Sequence, residues 1–79
     1  MEYLMTVYHR NQSYRVMYQI NSDHIFYELE SEDYVFNVKT DLVPDEIYFD
    51  IENHVAISDK EYKLQLVKIK NKKNKSKPL

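Results

Sequence analysis

The sequence contains no glycine, which removes the phosphate-cradling loops of P-loop and dinucleotide-binding proteins, whose backbone must approach a ligand more closely than a Cβ permits. Cysteine is also absent, which excludes disulfides, a thiolate nucleophile and any cysteine-containing zinc or iron–sulfur site. No run approaches the roughly 18 continuous apolar residues of a membrane-spanning helix, and the first residues lack the basic region and apolar run of a secretory signal. The chain therefore reads as soluble and cytoplasmic. Nothing in it resembles a Pro- or Ser-rich linker or an internal repeat, and its 79 residues leave room for one small domain of modest stability.

The apolar content that is present is strongly aromatic, with eight Tyr and three Phe. Each ring can bury on the order of 150 to 250 Å² while a Tyr hydroxyl still reaches a polar partner. Aromatics are therefore expected to supply much of the core.

The net charge of −2 hides a division along the chain. Residues 1–67 hold five basic side chains (Arg10, Arg15, Lys39, Lys60 and Lys63) against all 13 acids, a net −8. Residues 68–79 hold Lys68, Lys70, Lys72, Lys73, Lys75 and Lys77 and no acid, a net +6. From Asn71 to Lys77 no residue is apolar, so the stretch cannot repay its ordering entropy. The expected organisation is a single β domain over 1–70 followed by a flexible basic tail over 71–79.

Alternation of period two dominates the body. In 14–20, Tyr14, Val16, Tyr18 and Ile20 oppose Arg15, Met17 and Gln19; in 25–30, Ile25, Tyr27 and Leu29 oppose Phe26, Glu28 and Glu30. A third strand over 34–39 turns Tyr34, Phe36 and Val38 inward and Val35, Asn37 and Lys39 outward, which makes a three-strand meander with turns at 21–24 and 31–33. Without glycine, turns that need positive φ must use other residues, and Asn11, Asn21, Asp23, Asp33, Asn53 and Asp59 are the candidates. Further strands are expected over 2–9, 47–51, 54–58 and 61–69, with Val55 and Ile57 inward. In the first of these, Tyr3, Met5 and Val7 compete with Leu4 and Tyr8 for the inner face. Adjacent Leu66 and Val67 signal a bulge or a region apolar on both faces. Pro44 followed by two acids allows one short helical turn. The fold class is all-β: a small antiparallel barrel or compact β-sandwich of six or seven short strands.

Catalytic signatures are missing. His9, His24 and His54 lie far apart and match no local metal motif, and neither a metal nor a cofactor is expected. The carboxylates cluster beside turns, as on solvated faces, and no serine sits in a nucleophile elbow. A non-enzymatic role is the expectation. The outward-facing Met17, Phe26 and Val35, with Tyr48 and the neighbouring Glu28 and Glu30, form a candidate protein-interaction surface, the partner being another protein or a second copy in a homodimer. An intramolecular second layer over the same residues is the competing reading. Strand edges near Thr6, Arg15 and Lys39 add the option of strand addition. The alternative function is a nucleic-acid-associated barrel in which Lys68, Lys70, Lys72, Lys73, Lys75 and Lys77 contact phosphates and Tyr8 stacks on a base. Against it stands the acidity of the body. Deleting residues 71–79 separates the two functions, because only the second depends on the tail.

Overall fold

The computed structural model describes residues 1–58 and 63–71. Eight strands appear in chain order: β1 (Glu2–His9), β2 (Gln12–Ile20), β3 (Ile25–Glu30), β4 (Tyr34–Thr40), β5 (Ile47–Asp50), β6 (Val55–Ser58), β7 (Lys63–Gln65) and β8 (Val67–Asn71). They form two antiparallel sheets, one of five strands in the order β1-β2-β3-β4-β8 and one of three in the order β5-β6-β7. The all-β expectation holds, and the anticipated meander is present as β2, β3 and β4. Two packed sheets, one more strand than the upper expectation, realise the architecture.

The extra strand has a physical origin at Leu66. The segment expected as one strand divides there, β7 pairing with β6 in the small sheet and β8 with β4 in the large one. Leu66 is 4% exposed and its N–H donates to the His54 carbonyl at 2.8 Å, whereas Val67 is 58% exposed. Two adjacent apolar residues thus mark a corner at which the chain changes sheets, the usual device for joining packed layers.

The core lies between the sheets. Val16, Tyr27 and Leu29 are fully buried on the inner face of the large sheet, and Phe49 of β5 meets the Tyr27 ring edge-on at 5.5 Å. Across the small sheet Phe49 pairs with Ala56 and Ile47 with Ser58. This reverses the expected facing of β6: Ala56 (0% exposed) and Ser58 are buried, while Val55 and Ile57 are only half-buried on the opposite side. The small residues are inside because the bulky Phe49 and Tyr27 already fill that space.

The β4–β5 connection, a register shift in β1 and the left-handed turns account for the remaining departures. No helix is present among the described residues; Pro44 to Glu46 form a turn closed by the Glu46 N–H to the Val43 carbonyl at 3.0 Å. The preceding bend is fixed by the Leu42 N–H donating to Thr40 Oγ1 at 3.0 Å and by the Tyr27 hydroxyl donating to the Leu42 carbonyl at 2.6 Å. Those bonds bury Leu42 and leave too little chain for a helix. In β1 a register shift between Tyr3 and Met5 lets Leu4, Met5 and Val7 all pack against the core while Tyr3 and Tyr8 stay exposed. Among the described residues, positive φ occurs at Arg10, Asn11 and His54. Of the six candidates for that conformation only Asn11 adopts it among the described residues; Asp59 lies outside them, as do residues 72–79.

Candidate functional site

Two surfaces concern function: the outer face of the five-stranded sheet, and a cleft at one end of the space between the sheets.

Register defines the outer face. Tyr3 lies beside Met17, Met17 beside Glu28, Glu28 beside Asn37 and Asn37 beside Val67. The flanking rows run Gln19, Phe26, Lys39 and Thr6, Arg15, Glu30, Val35. Met17, Phe26, Glu28 and Glu30 are half-buried, and none of Met17, Phe26 and Val35 belongs to the hydrophobic cluster that joins the two sheets. The intramolecular second layer therefore covers the other face. Val35 sits on the predicted side but is only 6% exposed, so it supports its neighbours rather than presenting surface. Tyr48, at 59% exposed, belongs to the three-stranded sheet, where it lies beside Ile57, and not to the Met17 row. Arg15 and Lys39 stand on inner strands, and only Thr6 of the three proposed edge residues is on an edge strand.

The cleft occupies about 380 Å³ where the β1–β2 turn, the start of β4, the β5–β6 turn and β8 converge. Sequence reasoning does not assemble it, because its residues extend from His9 to Lys68 without any local spacing.

Its local geometry is built from two left-handed turns. His9 pairs with Gln12, so Arg10 and Asn11 form a two-residue hairpin loop, with φ of 48° and 62°. Positive φ at both central residues is the requirement of a type I′ turn, whose twist matches that of the flanking strands. The other turn begins with Asp50, whose carboxylate accepts the Asn53 backbone N–H at 3.2 Å and its side-chain amide at 2.7 Å. These bonds hold the Asp50 carboxyl below its ordinary range. His54 follows at φ 57°, its N–H donating to the Ile51 carbonyl at 3.2 Å. Non-glycine residues in this region cost about 1 to 2 kcal/mol each, which the surrounding bonds offset.

Aromatic rings line the inner wall. Tyr34 and Phe36 lie nearly parallel, 24° apart with centroids separated by 6.3 Å. Phe36 also meets His54 at 5.6 Å and Tyr14 at 5.8 Å. Burial pushes the Tyr14 phenol above its ordinary value.

Cations occupy the rim. Lys68 Nζ stands 4.6 Å from the Tyr34 ring centroid, a cation–π arrangement. The Arg10 guanidinium reaches Glu52 at 3.2 Å, and His9 Nε2 lies 4.0 Å from the same carboxylate. An exposed pair such as Arg10–Glu52 contributes only about 0.2 to 1 kcal/mol, little enough for a ligand to displace it. The cleft gathers two permanent cations, Arg10 from the acidic body and Lys68 from the start of the basic segment, and two imidazoles around one carboxylate.

No family model, curated protein or solved structure matches the chain.

The other sequence-derived candidates are placed as follows. Among the described residues no three His, Asp or Glu side chains are grouped to hold a metal ion. His24 is held in the β2–β3 turn, with Nδ1 2.8 Å from Asp23 and Nε2 3.0 Å from the Asn21 amide. Tyr8 is 77% exposed and lies beside Ser13 on the outer-face side of the hairpin, away from Lys68 at the cleft. Lys70 belongs to β8, and Lys72, Lys73, Lys75 and Lys77 lie outside the described residues. No helix among the described residues is long and apolar enough to cross a membrane.

Proposed function

We propose that this chain is a non-enzymatic, cytoplasmic protein-interaction domain that self-associates through the outer face of its five-stranded sheet. The observation that carries the reading is the position of the small sheet, which packs on the inner face and leaves Tyr3, Met17 and Phe26 outside the common hydrophobic cluster. Charges of both signs accompany them: Glu28 and Glu30 on β3, with Arg15 and Lys39 on the strands to either side. A two-fold contact requires a surface complementary to itself, and apolar side chains interleaved with acids and bases meet that requirement. Two sheets stacked across this face would bury the apolar rows and set carboxylates of one copy against cations of the other.

Sedimentation equilibrium over a concentration series, at low and high salt, tests the reading. The expected result is a dimer that persists at high salt and becomes a monomer when Met17 and Phe26 are both replaced by Lys. A wild-type monomer at every concentration, or a dimer indifferent to both substitutions, would overturn it.

A further inference from the structure

The cleft between the sheets combines features that the outer-face reading does not use. Its walls are aromatic, its rim is cationic, and two of its lining residues, Arg10 and His54, are held in the left-handed region. Left-handed backbone at non-glycine residues collects at ligand sites, where the surrounding structure enforces it. The volume of about 380 Å³ lies within the range of small-molecule sites.

We propose that this cleft binds a nucleotide, the phosphate held by Arg10 and Lys68 and the base lying against the Tyr34 ring. A phosphate is favoured electrostatically. Arg10 and Lys68 are concentrated at one place on an otherwise acidic body, and the side chain of Arg10 is largely exposed, tied only to Glu52 among the ion pairs of the described residues. Guanidinium groups bind phosphate in a bidentate manner, and an ammonium adds a point charge. A base is favoured by the geometry of the aromatic wall. Tyr34 is half-buried at the opening and backed by the buried Phe36 ring, and its face holds only the flexible Lys68 ammonium, which uncovers the ring when it turns to a phosphate. Base–aromatic stacking of this kind tolerates any base, because each has a π-face. Gln12 and His54 supply polar edges at the same opening.

Such a unit can come from a free mononucleotide or from a single strand of nucleic acid. Both present the same phosphate and base, and the experiment separates them. Calorimetric titration of the full-length protein with adenosine 5′-monophosphate, adenosine, inorganic phosphate and a short deoxyadenosine oligomer is the test. Adenosine 5′-monophosphate is expected to bind at a single site, with adenosine and phosphate each weaker by about tenfold or more, since each lacks one of the two contacts. An oligomer binding more tightly than the mononucleotide assigns the site to a strand; equal or weaker binding assigns it to a free nucleotide. Arg10→Gln and Lys68→Gln alter exposed side chains, and each is expected to weaken binding by about tenfold while lowering the melting temperature by no more than about 5 °C. Two results would overturn the proposal: no binding of either probe at millimolar concentration, or binding unaffected by both substitutions.

Discussion

Replacing Tyr27 by Phe removes one oxygen atom from the centre of the protein. Tyr27 is fully buried, its ring meets Phe49 of the opposite sheet, and its hydroxyl donates to the Leu42 carbonyl at 2.6 Å. Phe preserves the ring and its packing, so the measured change isolates the hydrogen bond. Losing the bond and leaving the buried carbonyl without that donor should cost about 1 to 3 kcal/mol. For 79 residues this corresponds to a fall in melting temperature on the order of 5 to 20 °C. A second readout comes from pH. Burial pushes the Tyr27 phenol up to about 12 from 10.0, so its contribution to stability is fully present below pH 10 and disappears as pH rises through 12. Between those values the unfolded chain has released the proton and the folded protein keeps it. The slope of stability against pH in wild type should therefore exceed that of Tyr27→Phe by about one proton in this window. Urea denaturation from pH 7 to pH 12 measures both effects, with Tyr8→Phe, on an exposed ring, as the control. A Tyr27→Phe protein as stable as that control, or with the wild-type alkaline slope, would refute the assignment of Tyr27 as the polar link between the core and the β4–β5 connection.

The corner and the two strained turns give further expectations. Leu66→Ala should lower stability by about 2 to 5 kcal/mol by opening a cavity where the chain changes sheets, whereas Val67→Ala next door should stay within about 0.5 kcal/mol; thermal melts of the pair decide it. His54→Val should cost about 1 to 2 kcal/mol because a β-branched residue resists φ near 57°, and His54→Asn should cost less in the same melts. The Asp50 carboxyl is lowered from 3.8 by its bonds to Asn53, so its contribution is present above that value and lost as pH falls through the lower folded value. Acid titration of Asp50→Asn should accordingly show a shallower loss of stability than wild type over that acidic window.

The parts of the fold legible in the sequence are those where alternation is strict and both faces differ in chemistry. Tyr14–Ile20, Ile25–Glu30 and Tyr34–Lys39 satisfy this condition, and their pairing follows from short turns rich in Asn, Ser and Asp. In β6 the same logic misleads. Val55 and Ile57 outrank Ala56 and Ser58 in hydrophobicity, but the space opposite Phe49 admits only a small side chain, and that constraint belongs to another strand. Leu66 and Val67 reveal an irregularity without its form, since a bulge and a corner both place neighbouring apolar residues on different surfaces. The cleft depends entirely on tertiary placement. Its one local trace is a pair of His- and Asn-containing turns, His9–Asn11 and Asn53–His54, in a chain that has no glycine to adopt positive φ.

The edges of the large sheet favour association by its face over association by strand addition. β1 and β8 are the edge strands. β8 carries Lys68, and a lysine on an edge strand opposes pairing with another chain because docking would bury its charge. β1 has a register shift between Tyr3 and Met5, which breaks the regular row of donors and acceptors that an added strand would need. The outer face has no comparable obstacle, because its apolar Met17 and Phe26 stand among charges that alternate in sign between β2, β3 and β4, a pattern a two-fold copy can match. The two modes leave different marks on amide hydrogen exchange. Strand addition slows exchange at the outward-pointing N–H groups of an edge strand, whereas a face contact leaves those amides fast and instead shifts the side-chain NMR resonances of Met17 and Phe26. Slowed exchange along β1 or β8 with unchanged Met17 and Phe26 environments would therefore place the contact at an edge and remove the outer face from consideration.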